Sequence, residues 1–201
     1  MNKKNHFIMR KILCLKSMNR FYTTFNSYYS GITIVWVSHY SNPQIIRFFL
    51  SDSKIDSHEK TQFYYPKAKE SSNPKITSLI SQIQEFFDGV FINFSLELLD
   101  FTQCNSIQKK IICAEYKIPR KWVSTYNKIA QHLGIVNGAR VVGNALAKNP
   151  FPIVIPCHRT IRSDGYLGGY QGGLEMKRAL LEMEGIEFIS SGKAKMENLF
   201  Y

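Results

Sequence analysis

From Gly31 to Asp52 the run GITIVWVSHYSNPQIIRFFLSD is dense in β-branched and aromatic residues and is broken once, by Ser-Asn-Pro. Such side chains suit a pleated, half-buried surface, so the run predicts a β-hairpin. The polar stretch from Ser53 to Asn73 predicts a loop. In Pro74 to Gly89, Ile76, Leu79, Ile80, Ile83, Phe86 and Phe87 fall at helical spacing. Proline opens that helix and glycine closes it. Phe91 to Leu99 predicts one more strand. Together these elements make a small α+β unit.

The pattern then changes to helices. Gln103 to Tyr116 places Ile107, Ile111 and Ile112 on one helical face. Ser124 or Thr125 can cap a helix that runs through Leu133 and stops at Gly134. Asn137 can cap a second, from about Gly138 to Lys148, which Asn149-Pro150 ends. Two short helices around a tight glycine turn form a helix-turn-helix pattern, although many helical hairpins share it. GLEMKRALLEMEG predicts a last helix stopped by Gly185, with Lys177, Leu181 and Glu184 on one face. Its two charged members read as an exposed face by default. After Phe188 the chain is polar and basic and reads as a loose tail.

Composition narrows the class. The chain has 201 residues, 44% hydrophobic and 20% charged, enough apolar material for a core. Its formal charge of +11 points to a polyanionic partner, with nucleic acid first and an anionic membrane surface second. The cysteines are Cys14, Cys104, Cys113 and Cys157, with no C-x-x-C pair. That spacing fits neither a disulfide framework nor a zinc ribbon, so free thiols in a reducing compartment are expected. His39 and His58 stand without a set of further ligands. The basic start has too short and interrupted an apolar run for a signal peptide, and Met9 is an alternative start. No stretch is long enough to span a membrane.

The candidate chemistry sits in NPFPIVIPCHRT and the glycine-rich segment after it. Three prolines predict a stiff, extended approach to Cys157. In an extended segment Cys157 and His158 face opposite ways, so a direct thiol–imidazole dyad needs a sharp turn or a bridging water. SDGYLGGYQGG holds five glycines in eleven residues, which lets backbone approach a ligand closely. It lacks the lysine and spacing of a phosphate loop. Cys157 is thus either a small buried filler or a nucleophile. A nearby ammonium and a carboxylate-oriented histidine would activate it.

The collinear set STYNKIA, GARVVGNAL, NPFPIVIPCHR, GGYQGG and LLEMEG, from about Phe101 to Ile186, resembles the O6-alkylguanine-DNA alkyltransferases. The resemblance covers a little under half the chain. It implies an α+β fold, with a small ribonuclease-H-like domain at 1–98, an active-site domain with the helix-turn-helix at 99–189, and a flexible tail at 190–201. It implies Cys157 as alkyl acceptor, His158 as the base acting through a water, Glu184 as the carboxylate that orients it, and Asn149 as the brace of the turn. Lys177 matches a lysine near the site. Arg140 is similar to the family's arginine finger and Tyr126 to the tyrosine that crowds the phosphate. Ser124, Ala139 and Asn144 join them as DNA contacts. Tyr170, Gln171, Thr160, Leu146 and Pro152 resemble the base pocket; Thr160 and Arg162 stand where aliphatic or varied residues are common in the family, and Gln171 occupies a variable pocket position. The implied activity is DNA repair by single-turnover, irreversible transfer of an alkyl group from O6-alkylguanine, and possibly O4-alkylthymine, in a flipped nucleotide. The implied partner is double-stranded DNA bound through its minor groove. Neither a cofactor nor a metal is expected, nor a membrane. The protein is expected to be monomeric and cytoplasmic, or nuclear in a eukaryote. A non-catalytic damage sensor is disfavoured because Cys157 is present. A turnover hydrolase is disfavoured by the adjacency of Cys157 and His158.

Overall fold

The computed structural model describes residues 19–39 and 42–201; Met9 and Cys14 lie outside them. The hairpin expected at Gly31–Asp52 forms as β2 (Gly31–His39) and β3 (Asn42–Leu50), paired antiparallel with a register shift between Val35 and Trp36. A strand absent from the sequence reading, β1 (Arg20–Asn26), pairs antiparallel with β2 and parallel with the short β4 (Lys69–Glu70). The sheet order is β3-β2-β1-β4.

The loop expected at Ser53–Asn73 is instead mostly ordered structure: β4 and a helix, α1 (Ser57–Tyr64), capped by Asp56. Its docking face is polar, which is why no apolar period marked it. Ser57 and Thr61 are fully buried. Thr33 donates to the Ser57 hydroxyl at 3.0 Å, and Thr61 donates to the Ser57 carbonyl at 2.9 Å. The helix is thus seated by buried, satisfied hydroxyls. The next, α2 (Pro74–Phe87), follows its sequence signals closely. Asn73 caps it, and Ile76, Leu79, Ile83, Phe86 and Phe87 are buried.

Phe91–Leu99 does not form the expected strand. Its backbone groups are used singly: Tyr116 donates to the Phe94 carbonyl at 2.6 Å, and Leu99 makes one bridge to Ile45. Here the free edge of β3 becomes important. Ile45 N–H reaches Leu98 C=O at 2.6 Å, and Phe48 N–H reaches Pro150 C=O at 2.8 Å. Leu50 N–H reaches the Gln171 side-chain oxygen at 3.1 Å. An exposed strand edge is a row of unpaired donors and acceptors; in this chain the second half satisfies them. One core follows, running from Ile32, Ile34 and Phe48 through α2 to Phe151, Ile155 and Cys157.

The second half carries α3 (Ser106–Tyr116), entered through a 3-10 turn at Phe101–Gln103. Then come β5 (Ser124–Thr125), α4 (Tyr126–His132) and α5 (Ala139–Ala147). Thr125 is the cap of α4, accepting from Lys128 N–H at 3.2 Å. Asn137 does not cap α5; it takes φ 51°, and Gly138 stands at the cap position. Asparagine tolerates that left-handed turn, so it makes the link between the helices. The last elements are β6 (Thr160–Ile161), parallel to β5, and α6 (Gly173–Met183). The tail expected to be loose is held at its far end. Phe200 N–H bonds Val123 C=O at 2.9 Å, and Ser124 donates to Phe200 C=O at 2.8 Å. Tyr201 stacks on His132 at 3.8 Å. Its aromatic end residues outweigh its polar middle.

Among the described residues, no helix is long and apolar enough to cross a membrane, and no group of three or more His, Cys, Asp or Glu side chains could hold a metal ion. His58 instead contacts the Tyr22 hydroxyl at 3.2 Å.

The shared core makes a stability prediction. Ile83 is fully buried in it. Ile83→Ala is expected to cost about 2–5 kcal/mol, by lost transfer energy plus a cavity. Urea unfolding is the check, and the loss should appear in one transition that includes the second half.

Candidate active site

The approach to Cys157 is a compact turn, not the extended segment its prolines predict. Ile155 N–H bonds Phe151 C=O at 2.8 Å, Pro152 bridges Ile155, and Ile153 takes φ 74°. A β-branched residue in that region is strained, at a cost on the order of 1–3 kcal/mol. The prolines fix their own φ angles but do not forbid a reversal between them. Asn149 holds the reversal together. Phe151 N–H donates to its side-chain oxygen at 3.0 Å, while its amide nitrogen donates to Ile155 C=O at 3.3 Å and to Cys157 Sγ at 3.2 Å. Cys157, His158 and Arg159 then form a single 3-10 turn.

Burial pushes the Cys157 thiol up to about 12; Asn149 and Lys177 favour the thiolate, and Glu115 opposes it. At rest the sulfur carries its proton. His158, fully buried, has its Nε2 3.1 Å from Glu184 Oε1. Burial lowers the His158 pKa, against the pull of Glu184. Burial alone would raise the Glu184 pKa, but His158 and Arg159 outweigh it and hold it at about 2. An ionised carboxylate only accepts, so a neutral His158 must carry its proton on Nε2. Its Nδ1 then offers a lone pair and has no protein hydrogen-bond partner.

Lys177 and Glu184 do not form an exposed face. Both are buried, at 0% and 1% exposure. Helical spacing gave their shared face correctly, but burial of that face is decided by what packs on it. Lys177 Nζ donates to Thr160 C=O at 2.6 Å and Gly168 C=O at 3.1 Å. Burial lowers its pKa to about 8, while Cys157 and Glu115 pull it upward.

Other expected residues are distributed unevenly. Tyr170 stands edge-on to His158 at 6.3 Å, its buried hydroxyl without a protein partner. Leu146 and Pro152 are buried in the wall of the turn. Thr160 is fully buried, its hydroxyl donated to Glu115 at 2.6 Å. The Gln171 side-chain oxygen is engaged by β3, away from His158. On the outer side, Arg140 and Asn144 are exposed and Ala139 is half-buried along α5. Ser124 does not join them; it is fully buried against Phe200. Tyr126 lies between α5 and the glycine loop. A Cβ on Gly168 would come 2.0 Å from its hydroxyl.

Two residues at the site had no role in the sequence reading. Arg159 binds Glu184 with two nitrogens, at 2.8 and 2.6 Å, and donates a third bond to Ile118 C=O at 2.6 Å. Its place beside Cys157 and His158 was a signal, but its partner lies 25 residues on. Glu115 is a fully buried carboxyl at the end of α3. It looked like one more polar helix position.

Fold and site together define a protein that sets a buried thiol beside a His–Glu pair, behind two short helices joined by a tight turn. Residues 106–186 match the family model described as 6-O-methylguanine DNA methyltransferase, DNA binding domain. A methylated-DNA–protein-cysteine methyltransferase of Methanothermobacter thermautotrophicus is 45% identical over 120 residues, 59% of this chain and 67% of that protein. The Haemophilus influenzae protein of the same name is 31% identical over 179 residues, 85% of this chain and 97% of its own. The crystal structure of Mycobacterium tuberculosis OGT in complex with DNA superposes with TM-score 0.64 at 28% identity, covering 81% of this chain and 91% of that one. The chain belongs to the methylated-DNA–protein-cysteine methyltransferases.

Two predictions follow from the geometry. The Glu184 pKa is depressed from 4.5 to about 2, so its contribution to stability is present above pH 4.5 and is lost as pH falls toward 2. Glu184→Gln should lower stability at neutral pH and flatten the loss over that window, as read by denaturant unfolding across pH. Gly168→Ala should displace Tyr126 and cost about 1–3 kcal/mol, as overpacking does, with Tyr126 fluorescence and the urea midpoint changing together.

Proposed function

We propose that Cys157 takes the alkyl group from O6 of an alkylguanine in double-stranded DNA and keeps it as a thioether. The observation that carries this reading is the pairing of a buried thiol, held by Asn149, with a neutral His158 whose Nε2 is committed to Glu184 and whose Nδ1 is free. His158 accepts the thiol proton at Nδ1 through a bridging water. The sulfur attacks the alkyl carbon, the S–C bond forms and the C–O6 bond breaks. Its electrons return to the guanine, which takes up one proton, so the net reaction neither gains nor loses protons. A thioether has no easy leaving group, so each chain reacts once. Asn149 holds the turn, Glu184 and Arg159 hold the imidazole, and Lys177 supplies positive charge for the forming thiolate.

The target oxygen lies inside a stacked duplex, so the nucleotide must leave the stack to reach Cys157. The exposed edge of α5, with Ala139, Arg140 and Asn144, enters the minor groove, whose degenerate pattern suits scanning of any sequence. Arg140 fills the stack behind the flipped base, and Tyr126 crowds its phosphate. Tyr170, Leu146, Pro152 and Thr160 line the base pocket, and Gln171 contributes its backbone. The net charge of +11 supports attraction to DNA. The protein acts as a monomer, in the cytoplasm or in a eukaryotic nucleus, where thiols stay reduced. Of the two units expected at 1–98 and 99–189, the described part of the first is the ribonuclease-H-like domain and the second is the active-site domain.

Intact-protein mass after incubation with a duplex carrying one O6-methylguanine tests the reading. The expected result is a gain of one methyl per chain, mapped to Cys157 and absent from Cys157→Ala. Tight binding to the lesion without mass gain would favour a damage sensor. A second check separates flipping from chemistry. Arg140→Ala should slow methyl transfer from duplex DNA on the order of tenfold or more, since unstacking costs a few kcal/mol. Its reaction with free O6-benzylguanine should match that of the parent chain.

A further inference from the structure

The reaction just described uses Cys157, His158, Glu184, Asn149 and Lys177, but leaves a buried carboxyl beside them unexplained. Glu115 is fully buried on α3 and, among the described residues, has no arginine or lysine in hydrogen-bond contact. Its Oε2 accepts the Thr160 hydroxyl at 2.6 Å, while Oε1 has no partner. Thr160 is held from its other end by Lys177, whose Nζ donates to the Thr160 carbonyl at 2.6 Å. Glu115 and Lys177 therefore grip one residue, three positions after Cys157. A carboxyl in such a place is costly unless it serves something.

The charged and titratable groups around Glu115 come from every neighbouring element. Lys177 lies on α6, Arg159 and Cys157 on the 3-10 turn, Tyr126 on α4, and Tyr201 in the C-terminal segment. Lys177 is the cation that acts on both Glu115 and Cys157. A carboxylate and a thiolate cannot both be well compensated by one ammonium in a water-poor interior.

We propose that Glu115 keeps Cys157 in its thiol form between reactions by competing with it for the Lys177 ammonium. Glu115 is a positioning residue in this scheme and touches no substrate. A chain that reacts once has reason to withhold its thiolate from stray electrophiles, and a charged neighbour does this without blocking access. The burial-raised pKa of Glu115, about 7, puts its ionisation in the physiological range. The restraint is therefore weak below that pH and fullest between about 7 and 8, above which Lys177 gives up its own proton. The inference rests on reading Cys157 as the alkyl acceptor.

The test compares the parent chain with Glu115→Gln, which keeps an acceptor for Thr160 but cannot ionise. The rate of Cys157 alkylation by iodoacetamide is followed by peptide mass from about pH 6 to 9. In that reaction an S–C bond forms, iodide leaves and the thiol proton passes to solvent. Glu115→Gln is expected to react about tenfold faster near pH 8, the change in thiolate fraction that one unit of acidity gives. The advantage should shrink toward pH 6. Superimposed pH profiles, or a uniformly slower variant, would overturn the proposal. Iodoacetamide needs no DNA, so separated profiles with no methyl uptake by either chain from an O6-methylguanine duplex would sustain the role of Glu115 and overturn the alkyltransfer reading instead. If Glu115→Gln does not fold, a carbon-13 carboxyl titration of the parent chain decides. A midpoint near 7 is expected, and a Glu115 carboxyl still neutral through about pH 9 would refute the idea.

Discussion

The carboxylate of Glu184 is the interaction on which the site depends. Its side chain has no exposure, and it accepts from His158 and, through two nitrogens, from Arg159. An ionised carboxylate in such a place is tolerable only when its oxygens are satisfied and its charge is met. Meeting it does three things at once. It ties the turn that carries Cys157 to the end of α6. It fixes which imidazole nitrogen holds a proton. It also draws Arg159 across to Ile118, joining the turn to the exit of α3. A change at any of the three partners leaves a buried charge or donor unpaired, so the imidazole orientation and the local fold stand or fall together.

The edge of β3 plays the same part at larger scale. Its outward amides are taken by Leu98, by Pro150 and by the Gln171 side chain, all from beyond the hairpin. Two of these acceptors flank the site, one just before the Cys157 turn and one in the glycine loop. The sheet therefore fixes the position of the reacting centre although none of its side chains acts there. Burial of Phe48 and Phe151 in one core makes the arrangement stiff.

Electrostatics at the site work by compensation, with little help from water. Glu184 is held ionised by two partners, whereas Glu115 has only a hydroxyl in contact and is pushed to about 7. The same residue type thus meets opposite fates: one carboxylate is held ionised, the other is pushed toward its neutral form. Lys177 has its ammonium pinned to two carbonyls and lowered to about 8 by burial, against the upward pull of Cys157 and Glu115. Burial holds the Cys157 thiol at about 12, so the sulfur carries its proton at neutral pH.

Regular elements were legible where burial is periodic and local. The helix at Pro74–Phe87 was readable because its apolar stripe, its opening proline and the glycine that closes it all sit within sixteen residues. The hairpin and the two helices after Thr125 were readable for the same reason, and the ordered motif set marked Cys157, His158 and Glu184. What failed was whatever depended on a distant partner. Helix Ser57–Tyr64 was missed because its buried face is polar and meets Thr33. The run at Phe91–Leu99 looked like a strand but touches the edge of β3 at a single bridge, Leu99 to Ile45. The tail was misjudged because Phe200 and Tyr201 have a groove to fill. By itself the sequence determined the helices apart from Ser57–Tyr64, the hairpin and the basic charge, since each is encoded in neighbouring residues. Only the tertiary structure decided that Lys177 and Glu184 are buried, that Arg159 completes the carboxylate and that Glu115 is buried against the Thr160 hydroxyl. Charge compensation in a dry interior is a property of groups brought together from far along the chain, and no local pattern records it.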